Sequence, residues 1–350
     1  MNKKLLAVAI GAAFAAPMLA QAEITVGGTV HMDAGYIDTG VGGAEQTKMW
    51  NISSNASNFV INANEDLGGG MKAVVKILEY VRFDNLDGTT AKTNRLTDGD
   101  AYAGISAGFG TILLGSMESP NKMLGRSVDL FGNAIGDSRN LDMNNVRLSN
   151  MVNYTSPKMA GVSVEVAHST GQAATGVSAL NSAKVNDIAV KYSGGPVSVG
   201  LGRQVWADQG AGGTDDDETY TTLVGSFGPF GPAKVNVAYQ KRENIGNVAT
   251  TESAVMGLGA SVKVGGSGLV KLQFYKLTAD SVGSSLESKV VAVGYDHSLS
   301  KATTAYVAIA KADNDVGANK GMAGGGHGDN VANLDGGSQN GLSLGLIVKF

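Results

Sequence analysis

Apolar and polar residues alternate along this chain with a period of two, from near its beginning to its last residue. In ITVGGTVHMDAGY one face carries Ile24, Val26, Gly28, Val30, Met32, Ala34 and Tyr36, and the other carries Thr25, Gly27, Thr29, His31 and Asp33. KAVVKI sets Ala73, Val75 and Ile77 against Lys72 and Lys76, and AKVNVAYQK sets Ala233, Val235, Val237 and Tyr239 against Lys234, Asn236 and Gln240. The closing GLSLGLIVKF places Leu342, Leu344, Leu346, Val348 and Phe350 on one side, with Ser343, Gly345 and Lys349 on the other and Ile347 breaking the pattern. Successive strand residues point to opposite faces. No stretch of comparable length keeps the helical period of 3.6.

Short turn sequences rich in Gly, Pro, Ser and Asp punctuate these runs: EDLGGG (65–70), AGFG (107–110), SPKMAG (156–161), SGGP (193–196), GPFGP (228–232), VGGSG (264–268) and DHSLSK (296–301). Such residues supply the backbone conformations that hairpin turns need. Longer polar segments separate the hairpins, at 37–48, 84–96, 117–145, 170–183, 207–216, 243–250, 279–286 and 313–339. Seven hairpins and the two outer strands, 24–36 and 341–350, predict sixteen strands in an up-and-down meander. An even number lets the first strand pair with the last and removes both sheet edges. The apolar face has no second sheet or helix to cover it, so it faces lipid, and a closed barrel follows. Sixteen strands enclose more space than side chains fill, which predicts an aqueous channel.

Composition agrees with this reading. A soluble domain or two would fit the overall totals, but the alternation favours a transmembrane barrel, whose lipid-facing half is invisible to averaged hydropathy. Residues 1–22 read as a cleaved export signal: Lys3 and Lys4, the apolar stretch LLAVAIGAAFAA, Pro17 and the small-residue site AQA. That leaves 23–350 as one barrel domain. Removal of Lys3 and Lys4 turns 27 basic and 31 acidic residues into 25 and 31, a net charge of −6, which argues against nucleic acid as a partner. With no cysteine, there are no disulfides to staple the fold.

The chain resembles the sixteen-stranded general porins of Gram-negative outer membranes, particularly those of beta- and gamma-proteobacteria. The likeness rests on EDLGGGMKAVVKI, AYAGISAGFGTILLG, RLSNMVNYTSPKMAGVSVEVA, YDHSLSKATTAYVAIA and the terminal Phe350, in that order and spacing. It implies an all-β, sixteen-stranded antiparallel transmembrane barrel, a homotrimer, and a third extracellular loop, here 117–145, folded inward as a constriction. The resemblance also places Asp129, with Asp137 as a second candidate, on the acidic side of that constriction and Arg147 on its basic wall. Asn58, Gly99 and Ser116 stand where relatives carry arginine. Lys72 and Lys76 on the polar face of the third strand, and Arg126 within the loop, are the remaining candidate cations, and His31 and Asp33 are candidate pore-lining residues. Phe350 is expected to act as an assembly signal read by the barrel assembly machinery.

These features predict passive diffusion of small hydrophilic solutes and ions across the outer membrane, without catalysis, cofactor or metal. The net charge and the thinned basic ladder predict a weak preference for cations. The alternatives are a substrate-selective channel, for sugars for instance, and a structural or adhesive barrel. The four histidines, His31, His168, His297 and His327, show no metal-binding spacing and read as polar barrel positions. DDDE (Asp215 to Glu218) reads as a solvated loop with some capacity to bridge lipopolysaccharide through divalent ions, and GGGHGD (324–329) as a flexible eighth loop.

Overall fold

A computed structural model of the protein describes residues 22–39, 48–84, 98–171, 184–207, 217–281, 284–324, 326–328 and 335–350. The expected export signal lies, apart from Ala22, outside the described residues. The described chain forms one antiparallel sheet: β1 (Glu23–Asp38), β2 (Lys48–Ser54), β3 (Asn58–Gly68), β4 (Met71–Tyr80), β5 (Ala101–Ala107), β6 (Gly110–Glu118), β7 (Arg147–Thr155), β8 (Val162–Ser169), β9 (Lys184–Gly194), β10 (Val197–Ala207), β11 (Glu218–Phe230), β12 (Ala233–Glu243), β13 (Glu252–Val264), β14 (Gly268–Ser281), β15 (Ser284–Ser298), β16 (Thr303–Asn314) and β17 (Ser338–Lys349).

Seventeen strands make sixteen staves, because β2 and β3 both pair with β1 and are two halves of one stave. The break falls at 55–57, where Ala56 takes a φ of 51°. Side chains repair the ladder there. The Ser57 hydroxyl accepts from the His31 amide at 3.0 Å and donates to the His31 carbonyl at 3.0 Å. The other edge of β1 pairs with β17, Ala34 against Leu344, so the sheet closes and no strand edge is left unpaired among the described residues.

All seven expected hairpin turns connect consecutive strands. One expected loop differs: most of 279–286 is ladder, with Asp280 opposite Ser285 and Ala279 opposite Leu286. Asp280 and Ser285 face each other near the end of the ladder, and the composition of the stretch resembles that of a loop. Burial is inverted relative to a soluble protein. Leu201, Leu223, Leu258, Leu272, Val293 and Leu344 are exposed, whereas Gln204, Thr222, Asn236, Gln240, Gln273 and Ser343 are buried. Within each strand these two sets occupy alternate positions, so the apolar set faces lipid and the polar set lines the inside of the closed sheet.

Part of the inner face is built from small residues. Ala292 and Gly294 on β15, Ala308, Ala310 and Ala312 on β16, and Gly341 on β17 adjoin in register. Their alanines are buried at 1–2 % exposure, although they point into a wide lumen. Other chain segments therefore cover this shelf. Where the chain ends meet, the Gly28 amide donates to the Phe350 carbonyl at 3.0 Å and the Phe350 amide donates to the Gly28 carbonyl at 3.2 Å. A Cβ at position 28 would lie 2.6 Å from the Phe350 ring, so the aromatic uses space that only glycine leaves. Deleting Phe350 is expected to lower the yield of folded, heat-resistant barrel in the outer membrane and leave the conductance of the assembled fraction unchanged. Wild-type yield from the deleted chain would contradict this.

Candidate functional site

The segment 119–146 covers the shelf. It opens with a short helix, α1 (Pro120–Arg126), where Pro120 fits the first turn and the Ser119 hydroxyl accepts from the Lys122 amide at 3.2 Å. Leu124, 2 % exposed, sits on Gly200 and Gly202 of β10, where any Cβ would lie within 2.7 Å of its methyls. Phe131, 1 % exposed, lies against Gly294, and the Lys271 ammonium stands 4.7 Å above its ring. Burying a side chain of this size contributes about 1.5–3 kcal/mol, and the cation over the ring face adds to it.

Inward-facing amides and carboxylates bind the backbone of the same segment. The Gln273 side-chain oxygen accepts from the Leu130 amide at 2.7 Å, Gln240 accepts from the Asn144 amide at 2.8 Å, and Asp187 accepts from the Asn121 amide at 3.1 Å. Asn236 donates to the Val128 carbonyl at 2.9 Å and Gln240 donates to the Asp142 carbonyl at 2.9 Å. Long polar side chains from β9, β12 and β14 thus satisfy an irregular backbone that strand ladders do not reach.

Both expected acidic residues are tied into this seat. Asp129 accepts from the Phe131 and Ser138 amides at 2.8 and 2.9 Å, from the Ser138 hydroxyl at 2.6 Å and from Gln273 at 2.9 Å. Asp137 is 0 % exposed and accepts from the Asn133 and Arg139 amides at 2.7 and 2.8 Å and from the Arg139 guanidinium. It does not line a gap, contrary to the expectation from sequence. Burial raises the pKa of both carboxyls. For Asp137 the hydrogen bonds and charge of Arg139 outweigh burial and hold it below the usual range, whereas Asp129, with Asp137 beside it, stays above that range. The Asp137 contribution is therefore present above the ordinary carboxylate pKa and lost as pH falls through its depressed value, and that of Asp129 runs the other way.

The expected cations Lys76, Arg126 and Arg147 come together around two carboxylates that the sequence reading passed over. Arg147 donates to Asp100 at 3.1 Å and Tyr80 at 3.2 Å, and lies 3.5 Å from Glu118. Lys76 pairs with Asp100 at 2.8 Å, while Lys122 and Arg126 lie 2.9 and 3.7 Å from Glu118. Burial lowers the Lys122 pKa, and Glu118 opposes that shift without cancelling it. Four cations thus share two carboxylates. Lys76 and Arg126 are the more open ones, with side chains 26 % and 30 % exposed. Lys72 lies outside the cluster, on the same face four residues nearer the short turn, opposite Asp66 and Ser106. The spacing of Glu118 and Lys122 at i and i+4 across the start of α1 was a legible signal. Asp100 required the register of Lys76 against Tyr102.

His31 and Asp33 point inward but are 4 % and 3 % exposed, so they do not line an open pore. One Asp33 oxygen accepts from Tyr306 at 2.8 Å, Asn55 at 3.0 Å, Ser343 and His327, and His31 lies 2.9 Å from the Tyr306 hydroxyl. His327 is therefore packed inside the barrel at 6 % exposure, while Gly325 and Asp329 of the same glycine-rich tract lie outside the described residues. Glu218 is likewise no solvated end of an acidic run: it is 2 % exposed and accepts from Arg242 at 2.7 Å and the Gly246 amide at 2.9 Å.

A closed sheet of sixteen staves, apolar outside and polar within, with a charged cluster on its inner face, is an outer-membrane channel. The chain belongs to the Gram-negative porin family, whose model matches residues 6–317. It is 29 % identical over 320 residues to outer membrane porin protein 32 of Delftia acidovorans, covering 87 % of this chain and 88 % of that one. It is 26 % identical over 360 residues to an outer membrane porin protein of Bordetella pertussis, covering 87 % and 93 %. The solved structure of an anion-selective porin from Comamonas acidovorans superposes with a TM-score of 0.80 at 26 % identity, over 94 % of this chain and all of that one. The protein is a porin of the Gram-negative outer membrane and forms a channel for passive diffusion.

Replacing Asp137 with Asn removes one partner of a buried ion pair, a loss of about 3–5 kcal/mol. The expected outcome is trypsin cleavage after Arg139 in the folded barrel, where the wild-type side chain is 6 % exposed and resists. Equal resistance in the two proteins would contradict the role assigned to the pair.

Proposed function

We propose that 119–146 narrows the channel and that Lys76, Lys122, Arg126 and Arg147, facing Asp100 and Glu118, filter solutes by charge. The observation that carries this reading is the imbalance of the cluster. Its four cations outnumber its carboxylates by two, and low-dielectric walls focus the field of such fixed charges across a passage. Asp137 adds little to that field, because the Arg139 guanidinium neutralises it. The local sign is positive and replaces the weak cation preference expected from net charge, which counts residues far beyond a screening length. The channel passes small anions more readily than cations, and its lumen carries solutes without chemical change.

The homotrimer, the assembly machinery and lipopolysaccharide complete the proposed set of partners. Support for the last comes from the lipid-facing rim opposite the short turns. Lys241, Lys289 and Lys311 project there, 33 %, 46 % and 46 % exposed, each beside a carboxylate. Phosphate groups would match the lysines and divalent ions the carboxylates.

In a salt gradient the wild-type channel is expected to show a reversal potential on the anion side. Arg126→Ala combined with Arg147→Ala shifts the permeability ratio toward cations by roughly a factor of two or more, and Glu118→Gln shifts it further toward anions. A ratio unmoved by all of these would remove the filter assignment.

A further inference from the structure

The third loop is held on its far side by another segment, near the end of the chain. Met322, 0 % exposed, accepts at its carbonyl from the Gly136 amide at 2.7 Å and from the Asn140 side chain at 3.0 Å. Lys320 pairs with Asp142 of the third loop at 2.8 Å. Gly326 approaches so closely that a Cβ there would lie 2.2 Å from Asn133 and 2.5 Å from the Arg139 guanidinium. The Met322 side chain rests on Gly341 of β17, where a Cβ would lie 2.5 Å from its methyl.

This segment has its own anchor in the barrel wall. The His327 ring nitrogen Nε2 meets an Asp33 oxygen at 3.1 Å, its Nδ1 lies 3.4 Å from the Ser53 hydroxyl, and the Gly328 amide donates to Asn55 at 3.0 Å. The wall supplies Asn55, Tyr306 and Ser343 to the same carboxylate oxygen, so Asp33 stays solvated by the barrel when the loop's contribution is removed. His327 is thus a detachable contact between a loop and a preformed polar socket.

We propose that the stretch carrying Lys320, Met322 and His327 is a second wall of the constriction, latched to β1 by the His327–Asp33 contact, and that the latch sets the position of the third loop. The inference rests on the reading of 119–146 as the constriction. His327 is a positioning residue: it touches no solute and acts through Met322 on Gly136 and Asn140. A segment wedged between the third loop and β17 occupies cross-section that would otherwise conduct. Its release widens the passage and frees the tip of the third loop together.

Single-channel conductance of the full-length protein in planar bilayers tests this. His327→Ala is expected to raise the unitary conductance roughly 1.5-fold or more, and His327→Gln, which keeps a donor for Asp33, is expected to restore the wild-type step. Asp33→Asn added to His327→Ala should give no further increase, because both changes open the same contact. Unchanged conductance in His327→Ala, while Arg126→Ala combined with Arg147→Ala still shifts the reversal potential, overturns the latch and leaves the filter standing. Unchanged behaviour in all of them overturns both. Failure of His327→Gln to restore the wild-type step, or additive effects with Asp33→Asn, also overturns the latch.

Discussion

The interior of this barrel depends on the fit between a strip of small inward-facing residues and the loops that lie on it. Sixteen staves enclose more volume than side chains can fill, and a loop in that space has a backbone to satisfy and a position to keep. Ala292, Gly294, Ala310 and Gly341, with Gly200 and Gly202 across the lumen, leave room for Phe131, Gly136, Met322 and Leu124. Long amides, Gln240, Gln273 and Asn236, then bind the backbone between those contacts. Apolar packing sets the depth of the loop, and the amides set its register along the wall.

Charge follows from that placement. Held against β9 to β16, the loop turns Asp129 and Asp137 into its own bonding and presents Lys122 and Arg126 toward Lys76 and Arg147. A chain with an acidic total thereby acquires a positive cluster on one side of its passage. Net charge describes the whole molecule, but permeability responds to the few groups within a screening length of the narrowest point.

Most of the barrel was legible in the sequence, because lipid imposes a period of two on every stave and turns impose glycine and proline. The seven short turns and the closing role of Leu342, Leu344 and Leu346 came directly from that pattern. The break at Ala56 was not visible, since it depends on Asn55 and Ser57 reaching residues of β1 more than twenty positions earlier. The site was only half legible. Lys76, Arg126 and Arg147 were found as isolated cations, but their partners Asp100 and Glu118 required strand register. Asp137 was in the right loop but is turned into its bonding with Arg139, and the contacts of Asp129 with Ser138 and Gln273 likewise required the fold. His327 lay in a glycine-rich tract that reads as loop, and nothing local marks the socket at Asp33, at the other end of the chain.

The seat itself is open to a direct measurement, helped by the absence of cysteine from the chain. Ala310 points into the lumen and is nevertheless 2 % exposed, because the third loop lies on it. Ala310→Cys, assembled in the membrane, is predicted to resist a water-soluble maleimide in the folded barrel and to react once the barrel is unfolded, as read by mass spectrometry. Rapid labelling in the folded barrel would contradict the seating of the third loop on the small-residue shelf.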